Sequence, residues 1–311
     1  MPLNVDIRVS APQTPRLCLR VAPGRRFELA ADSVALLFAR VDDGWWTLDL
    51  LLAERRTRCD VLAPIRAETA RQVATDVPRW AHLMAEQLRG GRAGPLHAGD
   101  WTMHEITWPP IISPRDHARL SWLRADLVEY GEDGTATFDY ESSTDGSAGV
   151  PLVPMRHLSE PSAPRVKAMR RLVREGVLPP VLLWSVTGFV GYVVLDGHDR
   201  LVAALAESLV PSFVVVSRTD RTRTDVREQA HVTHYETTMR QLDLVAGRGG
   251  DPDGVARARE GASRELSRRL RRVEQDPTWS WPIDGGARAW DRSASQVSAA
   301  WVHRTRWDDD E

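Results

Sequence analysis

A chain of 311 residues with 42% hydrophobic content can build two domains, or one with appendages. Its 41 basic and 43 acidic residues leave a formal charge of −2, which excludes a global electrostatic pull toward nucleic acid or an anionic membrane. Two cysteines far apart in sequence, Cys18 and Cys59, exclude a disulfide framework and fit a reducing interior. The start MPLNVDIRVSAPQTPRL lacks a basic cluster followed by an apolar stretch, and no apolar run approaches about 18 residues, so a soluble, cytoplasmic protein is expected.

Residues 1–148 are expected to form an amino-terminal α+β domain, with no role written in the sequence. VDIRVS, LCLRVA, SVALLFARV and WTLDLLLAER have the apolar, β-branched runs of strands, and Asp42, Asp43 and Gly44 form a hairpin signal between the last two. PIRAETARQVATDVPRWAHLMAEQLRGG predicts a helix ending at Gly90 and Gly91, with an interruption at Pro78. Trp101 and Trp108 flank a short stretch, and HARLSWLRADLVEY admits helix or strand. GEDGTATFDYESSTDGSAG, rich in glycine, serine and acidic residues, reads as a turn and then a linker, which places a boundary near residue 148.

Residues 149–220 read as strand VPLVPMRHL, a helix within SEPSAPRVKAMRRLVREG, strands LPPVLLW and GYVVLD, helix LVAALAESL and strand SFVVVS. The turn between GYVVLD and the following helix carries Asp196, Gly197, His198, Asp199 and Arg200. A strand that ends in Asp-Gly and opens directly into a helix leaves backbone N–H groups unpaired at the positive end of the helix dipole, where phosphate or carboxylate binds readily. Arg200 adds a forked cation suited to a bidentate anion contact. Lys167 is the one lysine in the chain and falls on a predicted helix, so neither a Gly-Lys-Ser/Thr phosphate loop nor a protein-kinase strand lysine is available. Phosphate binding must rest on backbone amides and arginine.

Residues 221–311 become helical and arginine-rich. TDVREQAHVTHYETTMRQLDLVAG and VARAREGASRELSRRLRRVEQ predict an antiparallel helical hairpin. His231 and His234 share a helical face but have no third ligand at a diagnostic spacing, and the stripe Arg264, Arg268, Arg271, Arg272 is interspersed with Glu260, Glu265 and Glu274, as on a solvated face. Trp279, Trp281, Trp290, Trp301 and Trp307 give the tail large apolar rings that imply docking: over the domain of residues 149–220, across a substrate pocket, or in a homodimer contact.

Residues 150–217 resemble the ParB/sulfiredoxin superfamily, through the order of these elements and through the turn. Sulfiredoxins carry Gly-Gly-Cys-His-Arg and need the cysteine; His198 stands at that position, so their chemistry is not expected. ParB nucleotide domains carry Gly-Glu-Arg-Arg, of which Gly197 and Arg200 remain. The free-serine kinases carry Asp-Gly-His-His-Arg, matched at Asp196, Gly197, His198 and Arg200, with Asp199 in place of the second histidine. The resemblance implies a phosphotransferase using ATP or ADP, with CTP as the alternative nucleotide, and Mg²⁺. Gly197, His198, Asp199, Arg200 and Arg165 would bind the phosphates, Asp196 and His198 would take part in catalysis, and Glu160 would act as general base toward an acceptor hydroxyl. A carboxylate facing a phosphate is repelled by about 1 kcal/mol or more. Asp199 is therefore expected either to cap the helix, turned away from the ligand, or to share the metal with Asp196. The alternative implied function is a ParB-like nucleotide-gated module that binds DNA or protein without phosphotransfer, although the helices after residue 220 lack a helix-turn-helix signature. A third is a degenerate domain that binds an anion and catalyses nothing.

Overall fold

The computed structural model describes residues 4–10, 15–42, 47–53, 59–90, 94–106, 124–140, 149–189, 191–219, 221–248, 251–271 and 278–305. Strands and helices together make an α+β fold, the class expected from the sequence. Asp43 and Gly44 of the expected hairpin turn, Trp108, the first residues of HARLSWLRADLVEY and Trp307 lie outside the described residues, as do the side chains of His231, Arg268 and Arg271.

Two sheets face each other. The first takes β1 (Asn4–Val9), β6 (Gly99–Glu105), β12 (Phe213–Thr219), β10 (Val181–Val186), β11 (Gly191–Asp196), β9 (Gly149–Pro154) and β7 (Arg124–Leu127) in that order. β12 runs parallel to β10, β9 parallel to β11 and to β7, and the remaining pairs are antiparallel. The second sheet is β13 (Trp281–Pro282), β2 (Leu17–Ala22), β3 (Arg26–Ala31), β4 (Val34–Asp42), β5 (Thr47–Leu52) and β8 (Thr135–Asp139). Period-two alternation decides what each strand offers to each layer. On β10, Leu182, Trp184 and Val186 enter the core between the sheets, while Val181 and Leu183 pack outward with Leu201. On β4, Leu37 and Ala39 point into the shared core and Phe38 points outward. Strands buried on both faces read as continuous apolar runs, and VLLWSV and FVVVS do so.

Helices cover the outside. α3 (Pro164–Arg174) and α4 (His198–Ala206) pack together through Val166, Val173, Val202 and Ala203. α1 (Ala67–Val73) and α2 (Val77–Gly90) occupy the expected long helix, but the break falls at residues 74–76. Pro78 sits in the first turn of α2, where its missing N–H costs nothing. Trp80, Met84 and Leu88 of α2 enter the central core.

The expected boundary at residue 148 runs through the first sheet. β6 and β7, both before it, pair with β12 and β9 after it, β1 joins the same sheet through β6, and Trp101 and Met103 of β6 are buried in the common core. The Gly- and acidic-rich segment that suggested a linker contains β8, which pairs with β5. The tryptophan-rich tail docks on its own chain: β13 extends the second sheet, and α7 (Gly286–Arg304) lays Trp290 and Trp301 over Phe38 and Leu51. The Trp290 indole N–H donates to the Phe27 carbonyl at 2.9 Å, and Arg26 pairs with Asp291 at 3.0 Å. α5 (Arg221–Gly247) and α6 (Pro252–Arg271) form the expected hairpin, with the Arg264–Glu260 pair on its surface. Among the described residues no helix is long and apolar enough to cross a membrane.

Candidate functional site

The buried run Val193, Val194, Leu195 fixes β11 in the sheet and delivers Asp196 at its end. Gly197 then takes φ +98°, a left-handed conformation that redirects the chain into α4. No side chain caps this helix. Its first backbone bond runs from the Leu201 N–H to the Gly197 carbonyl at 2.8 Å, so the amides of His198, Asp199 and Arg200 precede the helical ladder.

These residues border a cavity of about 230 Å³. Asp196 to Arg200, Met155, Arg156 and Arg165 form one side, and the segment from Cys59 to Ile65, with Leu36, supplies another. Arg200 is 5% exposed; its Nη2 donates to Asp196 Oδ2 at 2.5 Å, and its buried Nε has no partner among the described residues. A Cβ at residue 197 would fall 2.7 Å from Arg200 Nη2, so a side chain there would displace that guanidinium in addition to straining the backbone at its positive φ.

The Met155 amide donates to Nε2 of His198 at 3.2 Å, which leaves the ring proton on Nδ1. Burial, helped by the Arg156 and Arg200 charges and opposed by Asp199, pushes the His198 pKa down to about 3. His198 is therefore a neutral imidazole at neutral pH, with its proton on Nδ1.

Asp199 is not a cap. It lies in the first turn with its carboxylate buried: Oδ1 accepts the Ser159 hydroxyl at 2.7 Å and Arg156 Nη2 at 3.1 Å, and Oδ2 forms an ion pair with Arg165, whose Nε lies 3.1 Å away. Burial alone would raise its pKa, but the Ser159 hydrogen bond and the two guanidiniums outweigh burial and lower it. Asp199 therefore offers no free oxygen to a metal shared with Asp196, whereas Asp196 keeps one oxygen outside its pair with Arg200. Among the described residues no three histidine, cysteine, aspartate or glutamate side chains gather as a metal cluster.

Glu160, the expected base, is exposed on the loop before α3 and does not line the cavity. Arg165 does line it, held by Asp199. The sequence reading missed Arg156, Ser159 and Asp60. Arg156 follows directly on β9 in the MRHLSE segment, a signal that could have been used, whereas Asp60 follows β5 of the second sheet, is brought to the cavity by the packing of the two sheets, and has no local signature. Asp60 is exposed at the cavity and makes no ion pair among the described residues. Burial pushes the neighbouring Cys59 thiol up, with Arg16 opposing and Asp32 and Asp60 adding to the shift, so it stays protonated at neutral pH and is a poor nucleophile. Comparison of the chain with protein-family models, curated proteins and solved structures returned no match.

Proposed function

We propose that the cavity takes the phosphate end of a nucleotide and that the protein transfers a phosphoryl group to a small hydroxyl-bearing molecule. The observation that carries this reading is the left-handed Gly197, which opens an uncapped α4 onto a cavity edged by Arg156, Arg165 and Arg200. Backbone N–H groups at a helix start, with forked cations beside them, suit a phosphate chain. The apolar wall of Ile65, Met169 and Leu172 suits the uncharged part of a ligand. The transfer itself is proposed from the likeness of Asp196-Gly197-His198-x-Arg200 to the free-serine-kinase turn.

In such a transfer the acceptor oxygen bonds to the terminal phosphorus, the bond from that phosphorus to the bridging oxygen breaks, and the nucleotide leaves one phosphate shorter. The hydroxyl proton passes to a carboxylate. Asp60, which borders the cavity without an ion pair among the described residues, replaces Glu160, which does not line it, in this role. His198 donates from Nδ1, and Arg200, steadied by Asp196, offsets charge on the transferred group. Asp196, through its free oxygen, is the residue that would hold a Mg²⁺ arriving with the phosphates. The ion supplies charge neutralisation at the phosphate oxygens.

A second reading, nucleotide binding without transfer, is favoured by the engagement of Asp196 and Asp199 with arginines and by the exposure of Glu160. Incubation with ATP, ADP or CTP, with and without Mg²⁺ and pooled hydroxyl metabolites, separates the two. Thermal stabilisation with a phosphorylated product supports the transferase, and stabilisation alone supports the module, with salt-sensitive retention on duplex DNA pointing to its partner. No stabilisation by any nucleotide removes both.

A further inference from the structure

Asp199 stands where an anion site has least use for a carboxylate, and its contacts account for it. It accepts hydrogen bonds from Ser159 and Arg156 and forms ion pairs with two guanidiniums belonging to different elements: Arg156 just after β9 and Arg165 in the first turn of α3. Both arginines border the cavity. Arg165 is 52% exposed and uses only Nε toward Asp199, so its two terminal nitrogens have no acceptor among the described residues. Arg156 turns Nη1 to the His157 carbonyl at 3.3 Å and Nη2 to Asp199. Two cations on one buried anion leave that trio with one positive charge in excess, while Asp60, elsewhere on the lining, is a carboxylate without an ion pair among the described residues. A long arginine loses less rotamer freedom on meeting a ligand when one edge is already fixed.

We infer that Asp199 is a positioning residue, one that pins Arg156 and Arg165 as a preformed clamp for the terminal phosphate oxygens of the ligand. The inference rests on the reading of the cavity as a phosphate site. It also reverses the sign expected of Asp199. As a bystander carboxylate it repels an anion, and its neutralisation tightens binding; as the anchor of the clamp, its neutralisation loosens binding.

Inorganic pyrophosphate titrated calorimetrically into the full chain reads this sign. Arg165→Ala weakens binding about tenfold, the worth of one charge-assisted hydrogen bond. Asp199→Asn, which keeps a single acceptor oxygen, weakens it by a similar factor, and Asp199→Glu recovers part of the loss. The Arg165→Ala/Asp199→Asn double variant is little worse than either single one, because both changes remove the same contact. Ser159 does not line the cavity, yet Ser159→Ala also weakens binding, by about threefold, through loss of its 2.7 Å bond to Asp199 and of the 3.5 Å bond it accepts from Arg156 Nη1. This variant and Arg165→Ala keep the test open if Asp199→Asn fails to fold. Unchanged or tighter binding by Asp199→Asn, losses that multiply in the double variant, or no effect of Ser159→Ala overturns the clamp while the phosphate site stands. Absence of pyrophosphate and nucleotide binding in the wild type removes the site and the clamp together.

Discussion

Gly197 holds the candidate site in shape through two independent constraints. Its φ of +98° is one that L side chains rarely adopt, and a methyl group there would press on the guanidinium that Asp196 holds. Gly197→Ala is expected to cost about 1–3 kcal/mol in chemical denaturation, from backbone strain with displacement of Arg200, and to weaken nucleotide binding. A variant as stable as the wild type would show that neither constraint acts. His198 and His104 give the fold a pH dependence of definite sign. Burial holds His198 at about 3 and His104 at about 4, both below the ordinary 6.5, so the unfolded chain takes up these protons first. Their contribution is complete above about pH 6.5 and is lost as pH falls toward 4 and then 3. His198→Gln, which retains an acceptor for the Met155 amide, should flatten the fall in stability between pH 6.5 and 4; an unaltered slope would remove His198 as its source.

At the scale of elements, β12 is the seam of the first sheet. Val214, Val215 and Val216 are fully buried between β10 and β6, and β6 comes from the first half of the sequence. Residues 149–220 expressed alone would leave β12 as an open apolar edge, without Trp101 and Met103 to cover it. That fragment is expected to show no cooperative thermal transition by circular dichroism and poor amide dispersion by NMR. A cooperative transition would restore the boundary at 148. The strand, turn and helix from β9 to β12 were legible because their apolar periods are local and their punctuation is Gly and Pro. β3 was not, because RFELAA alternates with charges: Arg26 and Glu28 are buried, and Arg26 meets Asp291, 265 residues away in sequence. The site divides in the same way. Asp196 to Arg200 form one continuous turn and could be read directly, whereas the partners of Asp199 come from other elements, and the Cys59–Ile65 wall reaches the cavity only through the packing of one sheet on the other.

Over the whole molecule, helices α3 and α4, the two sheets and α7 form successive layers, with the cavity at one end of the strands. The α5–α6 hairpin packs chiefly on itself and is bracketed by β12 before it and Thr278 after it. Arg218 at the end of β12 lies 5.4 Å over the Trp279 ring, so the two roots of the hairpin are neighbours. Replacing residues 221–277 with a short Gly-Ser linker should therefore leave a protein that unfolds cooperatively and binds pyrophosphate as tightly as the full chain. Loss of the thermal transition would mean that the hairpin supports the body.

The Arg218–Trp279 stack also has a spatial consequence. β12 is parallel to β10, and β10 is antiparallel to β11, so Thr219 lies at the end of the sheet opposite Asp196. From Val214, level with Asp196, to Thr219 is about 16 Å at roughly 3.3 Å per residue. An arm rooted on the far shore of the sheet can lengthen, shorten or exchange its surface charges while the cavity beside Asp196 stays as it is, leaving the two ends of the sheet free to change separately.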